Sequence, residues 1–246
     1  MRASHGTGPV YRFPERLEEG VILARPNRFI MTVRSEGRTL RSHCPSTVRL
    51  GDLKVSDIPC LFSRAADPSR KTEATVEAIS LDPPDTRRKS WVGINQTAAN
   101  RYIEFFLRAG RMPLMASGEV RREVRLGASR IDFLVGRTYV EVKTPLNMLP
   151  VPARLAKTAH PPFDSFDRLI KHMGELGSAL GHGNRAVILL CYLYDAAPFR
   201  VPAAQSETSP VASAARRAAE RGVERWQINL RLDPQGVRML RYFRND

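Results

Sequence analysis

The sequence predicts an α/β (α+β) chain in two parts, a small β-barrel followed by a domain with a mixed central sheet flanked by helices. Three observations carry this. Residues 20–80 hold short alternating segments separated at short intervals by turn-prone residues, the texture of a small barrel. Residues 82–90, DPPDTRRKS, are polar and broken by prolines, as at a domain edge. From Thr97 onward apolar residues recur at helical spacing. The barrel, with an N-terminal extension, is assigned to residues 1–84 and the mixed-sheet domain to residues 85–246.

In the first part GVILA, RFIMTVRS, RTLRSH, IPCLFSR and EATVEAISL are the expected strands, each with the two-residue period of a half-buried strand. Phe29 and Phe62 are expected to pack inward. In the second part TAANRYIEFFLRA, Thr97–Ala109, reads as a helix capped by Thr97 or Asn95, with Tyr102, Phe105 and Phe106 as core rather than a base-stacking platform. EVRREVRL comes next, then two apolar runs, Ile131–Val135 and Thr138–Val142, around a Gly136-Arg137 turn, which together read as a hairpin. A long proline-containing loop from Thr144 to Pro162 leads to a helix through FDRLIKHMGELGSAL. RAVILLCYLY then reads as a buried strand, PAAQSETSPVASAA as a mobile loop, and VASAARRAAERG as a basic helix that ends at Gly222.

Composition narrows the partner class. The net charge of +14 and a pI near 10.5 attract polyanions, with nucleic acid foremost among them; the competing reading spreads the Arg excess over a solvated surface. Arg121, Arg122 and Arg125 divide in the same way between a charged strand face and phosphate contacts. Aromatic residues make up only 7% of the chain, so contacts to the sugar-phosphate backbone should outweigh base readout. Cys44, Cys60 and Cys191 are odd in number and form no CxxC pair, and no leader-like n-region and h-region opens the chain. A reduced, cytoplasmic protein is expected. No apolar run approaches the roughly 18 to 20 residues that cross a bilayer, so no membrane partner is expected. His43-Cys44 lacks a second pair at zinc spacing.

The hairpin carries the chemistry. Asp132 lies in its first run, and Glu141 and Lys143 lie in its second, at the two-residue spacing that shares one strand face. Two neighbouring carboxylates repel unless a divalent or neighbouring cation neutralises them. Mg²⁺, or Mn²⁺ in its place, suits such hard oxygen ligands, and a lysine on the same face can position a water or stabilise phosphate charge. An Asp, a turn and Glu-x-Lys form the active-site signature of the restriction-endonuclease-like nuclease fold. The same pattern also describes a solvated strand edge or a cross-strand salt bridge.

Taken in order, RFIMTV (28–33), HCPST (43–47), DPSRK (67–71), VGINQTAAN (92–100), SRIDF (129–133), YVEVK (139–143), KHMGEL (171–176), RAVILL (185–190) and RGVE (221–224) resemble the sugar fermentation stimulation protein family. The likeness runs from about Gly20 to about Trp226. It implies an N-terminal OB-type barrel, a C-terminal restriction-endonuclease-like domain, DNA binding and nucleic-acid cleavage. Position by position, Asp132 and Glu141 match the family's metal-binding acids and Lys143 its catalytic lysine. Ser129 and Arg130 match the residues entering that strand. Arg168, Lys171 and His172 match a basic set placed to meet phosphate across the site. Arg25, Arg28, Arg70 and Lys71 fall where the family is also basic, and His43, Cys44, Pro45 and Thr47 match a barrel loop in which the family has Asn at Ser46 and Gly at Val48. HPPFDSF (160–166) stands where the family has a Phe-Pro-Asp-Ala run.

The third metal-binding acid is left open. The family's helical glutamate lies five residues after the Asn that matches Asn100, whereas Glu104 lies four after it, a shift of about 100° around a helix. Glu104 after local adjustment, Glu119, Glu123 or no third acid at all would each satisfy the pattern. The expectation is therefore a nucleic-acid-binding, Mg²⁺-dependent phosphodiesterase acting on DNA or RNA. One alternative is a DNA-binding regulator of sugar metabolism that retains the scaffold without turnover; a partner in RNA processing is another. Monomer and homodimer are both open.

Overall fold

The computed structural model describes residues 8–46, 50, 53–146, 149–156, 167–180, 183–200 and 210–245, with the backbone alone for 167–170 and 211. The chain opens with β1 (Val10–Arg12). It continues through β2 (Glu18–Asn27), β3 (Ile30–Ser35), β4 (Arg38–His43), β5 (Ile58–Arg64), β6 (Ala74–Ser80) and β7 (Trp91–Gly93). The strands β2 to β7 form one sheet in the order β4-β3-β2-β5-β6-β7. A parallel pairing of β4 with β6, through Ser42↔Ala74 and His43↔Thr75, closes five of them into an OB-like barrel.

Alternation along these strands explains the closure. Ile22, Met31, Val33, Leu40, Cys60, Phe62 and Val76 point inward and are almost inaccessible to solvent, while Arg34, Arg38 and Arg41 point outward. The tight β3–β4 turn needs two residues at positive φ, supplied by Glu36 (49°) and Gly37 (75°). Phe62 packs inward as expected. Phe29 does not: it is 42% exposed, because it sits at the β2–β3 turn, outside the alternating ladder.

The second part contains α1 (Gln96–Arg108), β8 (Val120–Leu126), β9 (Ser129–Val135), β10 (Thr138–Lys143), α2 (Asp167–Ala179), β11 (Arg185–Tyr192), α3 (Pro210–Glu220), β12 (Glu224–Asp233) and β13 (Gly236–Arg244). Its mixed sheet runs β1-β13-β12-β11-β10-β9-β8, with β10, β11 and β12 parallel and the remaining pairs antiparallel. Asn95 is the helix cap of α1, its side chain accepting from the Ala98 amide. Tyr102 and Phe106 are fully buried, and Phe105 packs against the same core.

Several features of this fold lie outside the sequence reading. The hairpin β12–β13 follows Gly222, where that reading ends. β1, from the stretch assigned with the barrel, pairs with β13 in the second sheet, and β7, beyond residue 84, pairs with β6 of the barrel. Residues 211–215, which the sequence reads both as the end of a mobile loop and as the start of the basic helix, are helical in α3, whose own Ala214 and Ala218 are buried. Thr47, Val48, residues 160–166 and residues 201–209 lie outside the described residues. Among the described residues no helix is long and apolar enough to cross a membrane. All three cysteines are free and buried, and burial pushes the Cys60 thiol up to about 12, far from the thiolate a metal site needs.

The barrel and the second sheet share a continuous core in which Leu17, Leu61 and Ala78 of the first part join α1 and the inner face of the sheet. Gly93 is one point of close contact. Its amide donates to the Leu193 carbonyl at 3.0 Å, and a Cβ there would lie 2.6 Å from the Leu193 Cβ. Gly93→Ala is therefore expected to destabilise the protein by about 1–3 kcal/mol, the usual cost of overpacking. Denaturant unfolding measures this, and an unchanged midpoint would show that the junction yields freely.

Candidate metal and phosphate site

The hairpin forms as its sequence suggests, with one departure that builds the site. The β9–β10 ladder pairs Thr138 with Val135, Tyr139 with Leu134 and Val140 with Phe133, then stops. Asp132 and Glu141 come next on the two strands. In place of the next ladder bond, the Val142 amide donates to Asp132 Oδ2 at 2.8 Å. The other edge of β9 is irregular at the same level, since Glu123, opposite Asp132 on β8, adopts a φ of 50° and the pairs on either side continue without it. A carboxylate thus takes up a backbone donor where the strands part.

Strand alternation sends Val140 and Val142 into the core beneath α1 and Glu141 and Lys143 to the opposite face. Glu141 is only 2% exposed. Its Oε1 accepts from Lys143 Nζ at 2.7 Å and from the Nδ1–H of His172 on α2. Its Oε2 is buried with no hydrogen-bond partner among the described residues. Asp132 Oδ1 accepts from Asn100 Nδ2 on α1 at 2.8 Å. Burial raises the Asp132 carboxyl above its usual range and the neighbouring Glu141 charge raises it further, while the Val142 amide, Asn100 and Lys143 act in the opposite direction.

The site residues read from sequence fall into three groups. Asp132, Glu141 and Lys143 come together. Glu104 does not join them: its carboxylate is held by Arg108 and Arg122, at 3.0 and 2.9 Å. Asn100, one helical turn earlier, is the residue of α1 that reaches Asp132. Glu123 is exposed and so is Glu119, and no group of three His, Cys, Asp or Glu side chains able to hold a metal occurs among the described residues.

The basic residues divide as well. His172 was expected to face phosphate, yet it is buried and bonded to Glu141, because its position on α2 points it at the sheet. Its neighbour Lys171 is exposed, with Nζ 3.4 Å from the Ala128 carbonyl. Arg130 is exposed two residues before Asp132, and the side chain of Arg168 lies outside the described residues. On the barrel, Arg25 donates to the carbonyls of Arg28 and Ser46. Arg70 reaches the hydroxyls of Thr72 and Thr75, and Arg28 and Lys71 are exposed.

Two functional contacts escaped the sequence reading. Asn100 stands in the quoted VGINQTAAN stretch, and its spacing of one turn before Glu104 was the available signal. Glu77 carried no signal. Buried in β6, it accepts from Asn95 Nδ2 at 2.7 Å and Ser63 Oγ at 2.9 Å, tying the barrel to the cap of the helix that carries Asn100.

Comparison with known proteins places this geometry. Residues 97–236 match the sugar fermentation stimulation protein RE domain, and residues 23–94 match the N-terminal OB domain of the same family. A sugar fermentation stimulation protein homolog of Methylobacterium sp. (strain 4-46) is 35% identical over 237 residues, covering 93% of this chain and 95% of the relative. A homolog so named in Synechococcus sp. (strain JA-2-3B'a(2-13)) is 33% identical, covering 96% of each. Among solved structures, Pyrococcus furiosus SfsA in complex with Ca²⁺ superposes with a TM-score of 0.74 at 20% identity, over 96% of this chain and 98% of that one.

Proposed function

The chain belongs to the sugar fermentation stimulation protein family, and from this we propose that it binds nucleic acid and hydrolyses phosphodiester bonds with a Mg²⁺ or Mn²⁺ ion held by Asp132 and Glu141. The observation that carries the reading is the buried Glu141 Oε2, without a partner among the described residues, beside the raised Asp132 carboxyl. A hard divalent cation would satisfy both. The Ca²⁺ named for the Pyrococcus protein has the same ligand preference. A bound metal would supply Lewis acidity at a phosphate oxygen.

The chain's own residues do the rest. Val142 N–H and Asn100 fix the Asp132 carboxylate, and His172 fixes Glu141 from below, so both acids are aimed before any ligand arrives. Lys143 is the adaptable member, with 27% of its side chain exposed. It can leave Glu141 to orient a water or meet the charge on a phosphate. Arg130 and Lys171, exposed nearby in sequence, supply electrostatic attraction for the backbone.

A second reading, binding without turnover, draws on another observation. Glu141 already has Lys143 and His172 as partners, and Glu104 is engaged with Arg108 and Arg122 rather than with Asp132. Incubation with labelled single- and double-stranded DNA and RNA in Mg²⁺, Mn²⁺ or EDTA separates the two. Metal-dependent product is expected; binding with no product in any metal would leave the second.

If the +14 charge forms the phosphate-binding surface, log affinity falls linearly with log salt at about −0.9 per neutralised phosphate on duplex DNA. Anisotropy titrations between about 50 and 200 mM salt measure the slope. A flat response would reject the electrostatic reading.

A further inference from the structure

We infer that the tip of the β2–β3 hairpin is a base-stacking site for unpaired nucleobases, with Phe29 as the stacking residue, so that the barrel favours single-stranded nucleic acid. The inference rests on the nucleic-acid-binding part of the function proposed above, and it names the form of substrate the barrel selects. Phe29 is 42% exposed, and among the described residues it is the only exposed large aromatic side chain. An exposed phenyl ring is ordinary when it stands alone; the surroundings of this one are not.

Its backbone is fixed on every side. Asn27 Oδ1 accepts from the Phe29 and Ile30 amides at 2.9 and 3.0 Å, the Cys44 amide donates to the Phe29 carbonyl at 2.7 Å, and Arg25 donates to the Arg28 carbonyl at 3.0 Å. The turn therefore presents the ring instead of letting it fold back onto the barrel. The guanidinium of Arg28 lies 4.6 Å from the ring centroid, covering one face of the ring with a planar cation. A nucleobase stacks on the other face while Arg28 meets the adjoining phosphate.

The charge around the tip selects the occupant. His43 pairs with Ile30 on one neighbouring strand and with Thr75 on the other, and Arg70 bonds Thr75, so the Arg70 guanidinium and the Thr75 hydroxyl continue from Arg28 and the ring across the outer wall of the barrel. An apolar protein partner would leave these cations unmatched. A single strand offers both a π-face and phosphates at this spacing, whereas a duplex hides its base faces in the stack.

The test uses the full-length protein in EDTA with three labelled probes of equal length: an oligo-dT, an abasic strand with the same sugar-phosphate backbone, and a duplex. Wild type should bind oligo-dT about tenfold more tightly than the abasic strand, within the range of one stacked base. Phe29→Ala should erase that difference without changing affinity for the abasic strand, and Phe29→Trp should restore it. Equal melting temperatures guard against misfolding, which an exposed turn position should not cause. If Phe29→Ala keeps the full preference for oligo-dT, or wild type has none, the stacking site is overturned while phosphate binding stands. If no probe binds at all, the proposed function falls with it.

Discussion

Asp132→Asn is expected to remove Mg²⁺ binding and to lower cleavage by at least about 10³-fold, equivalent to about 4 kcal/mol of lost transition-state stabilisation, in a protein that still folds. The replacement keeps the shape. Asp132 accepts from the Val142 amide and from Asn100 Nδ2, and an asparagine can keep both contacts if the Asn100 amide turns over to present its oxygen. What it cannot keep is the charge. Without metal, that loss should favour the fold at neutral pH. The Asp132 carboxyl is raised above its ordinary value by burial and then by Glu141, so the folded state binds its proton more tightly than the unfolded state does. Its contribution to stability is complete below the ordinary aspartate value and is lost as pH rises through the folded one. In EDTA the variant should thus match wild type under acid conditions and equal or exceed it at neutral pH. Calorimetric Mg²⁺ titration and unfolding against pH read both effects. Unchanged metal affinity in the variant would remove the metal-site hypothesis, whatever the family comparison implies.

Strand periodicity made the barrel strands and the Asp132–Lys143 hairpin legible, because a two-residue alternation directly reports which face is buried. Asn95 was legible as a cap for the same local reason. The β12–β13 hairpin was not. Its strands are flanked by partners distant in sequence, and β13 carries Arg238, Arg241 and Arg244 among half-buried residues, which blurs the alternation. Within the site, residue type indicated chemistry but not direction. His172 and Lys171 are adjacent in sequence, yet α2 turns one toward Glu141 and the other to solvent, and a 100° step depends on how the helix is docked. Glu104 likewise found Arg122, a partner that only the packing of α1 on β8 provides. Phe29 was placed inside by the general preference of aromatic residues for cores; the Asn27 turn overrides that preference locally.

The two partners of Glu141 Oε1 should prove unequal when each is removed. The side chain of His172 is only 6% exposed and that of Lys143 is 27% exposed, while both bond the same Oε1 of a carboxylate that is itself buried. His172→Ala takes away the donor that lies deep between α2 and the sheet and leaves a cavity, so it should cost about 1–3 kcal/mol in stability for a buried acceptor that loses its partner. Lys143→Ala removes a group that solvent can partly replace. Its stability cost should be smaller than that of His172→Ala, because His172 still donates to the same Oε1, and metal affinity should survive because Asp132 and Glu141 are intact. Cleavage, in contrast, should fall by about 10² or more if the ammonium orients the water or meets developing phosphate charge. Denaturant unfolding, metal titration and turnover on the two variants resolve the roles. A Lys143→Ala protein that loses several kcal/mol yet cleaves at the wild-type rate would make Lys143 a structural counter-ion and return the hairpin to a buried ion pair with no catalytic part.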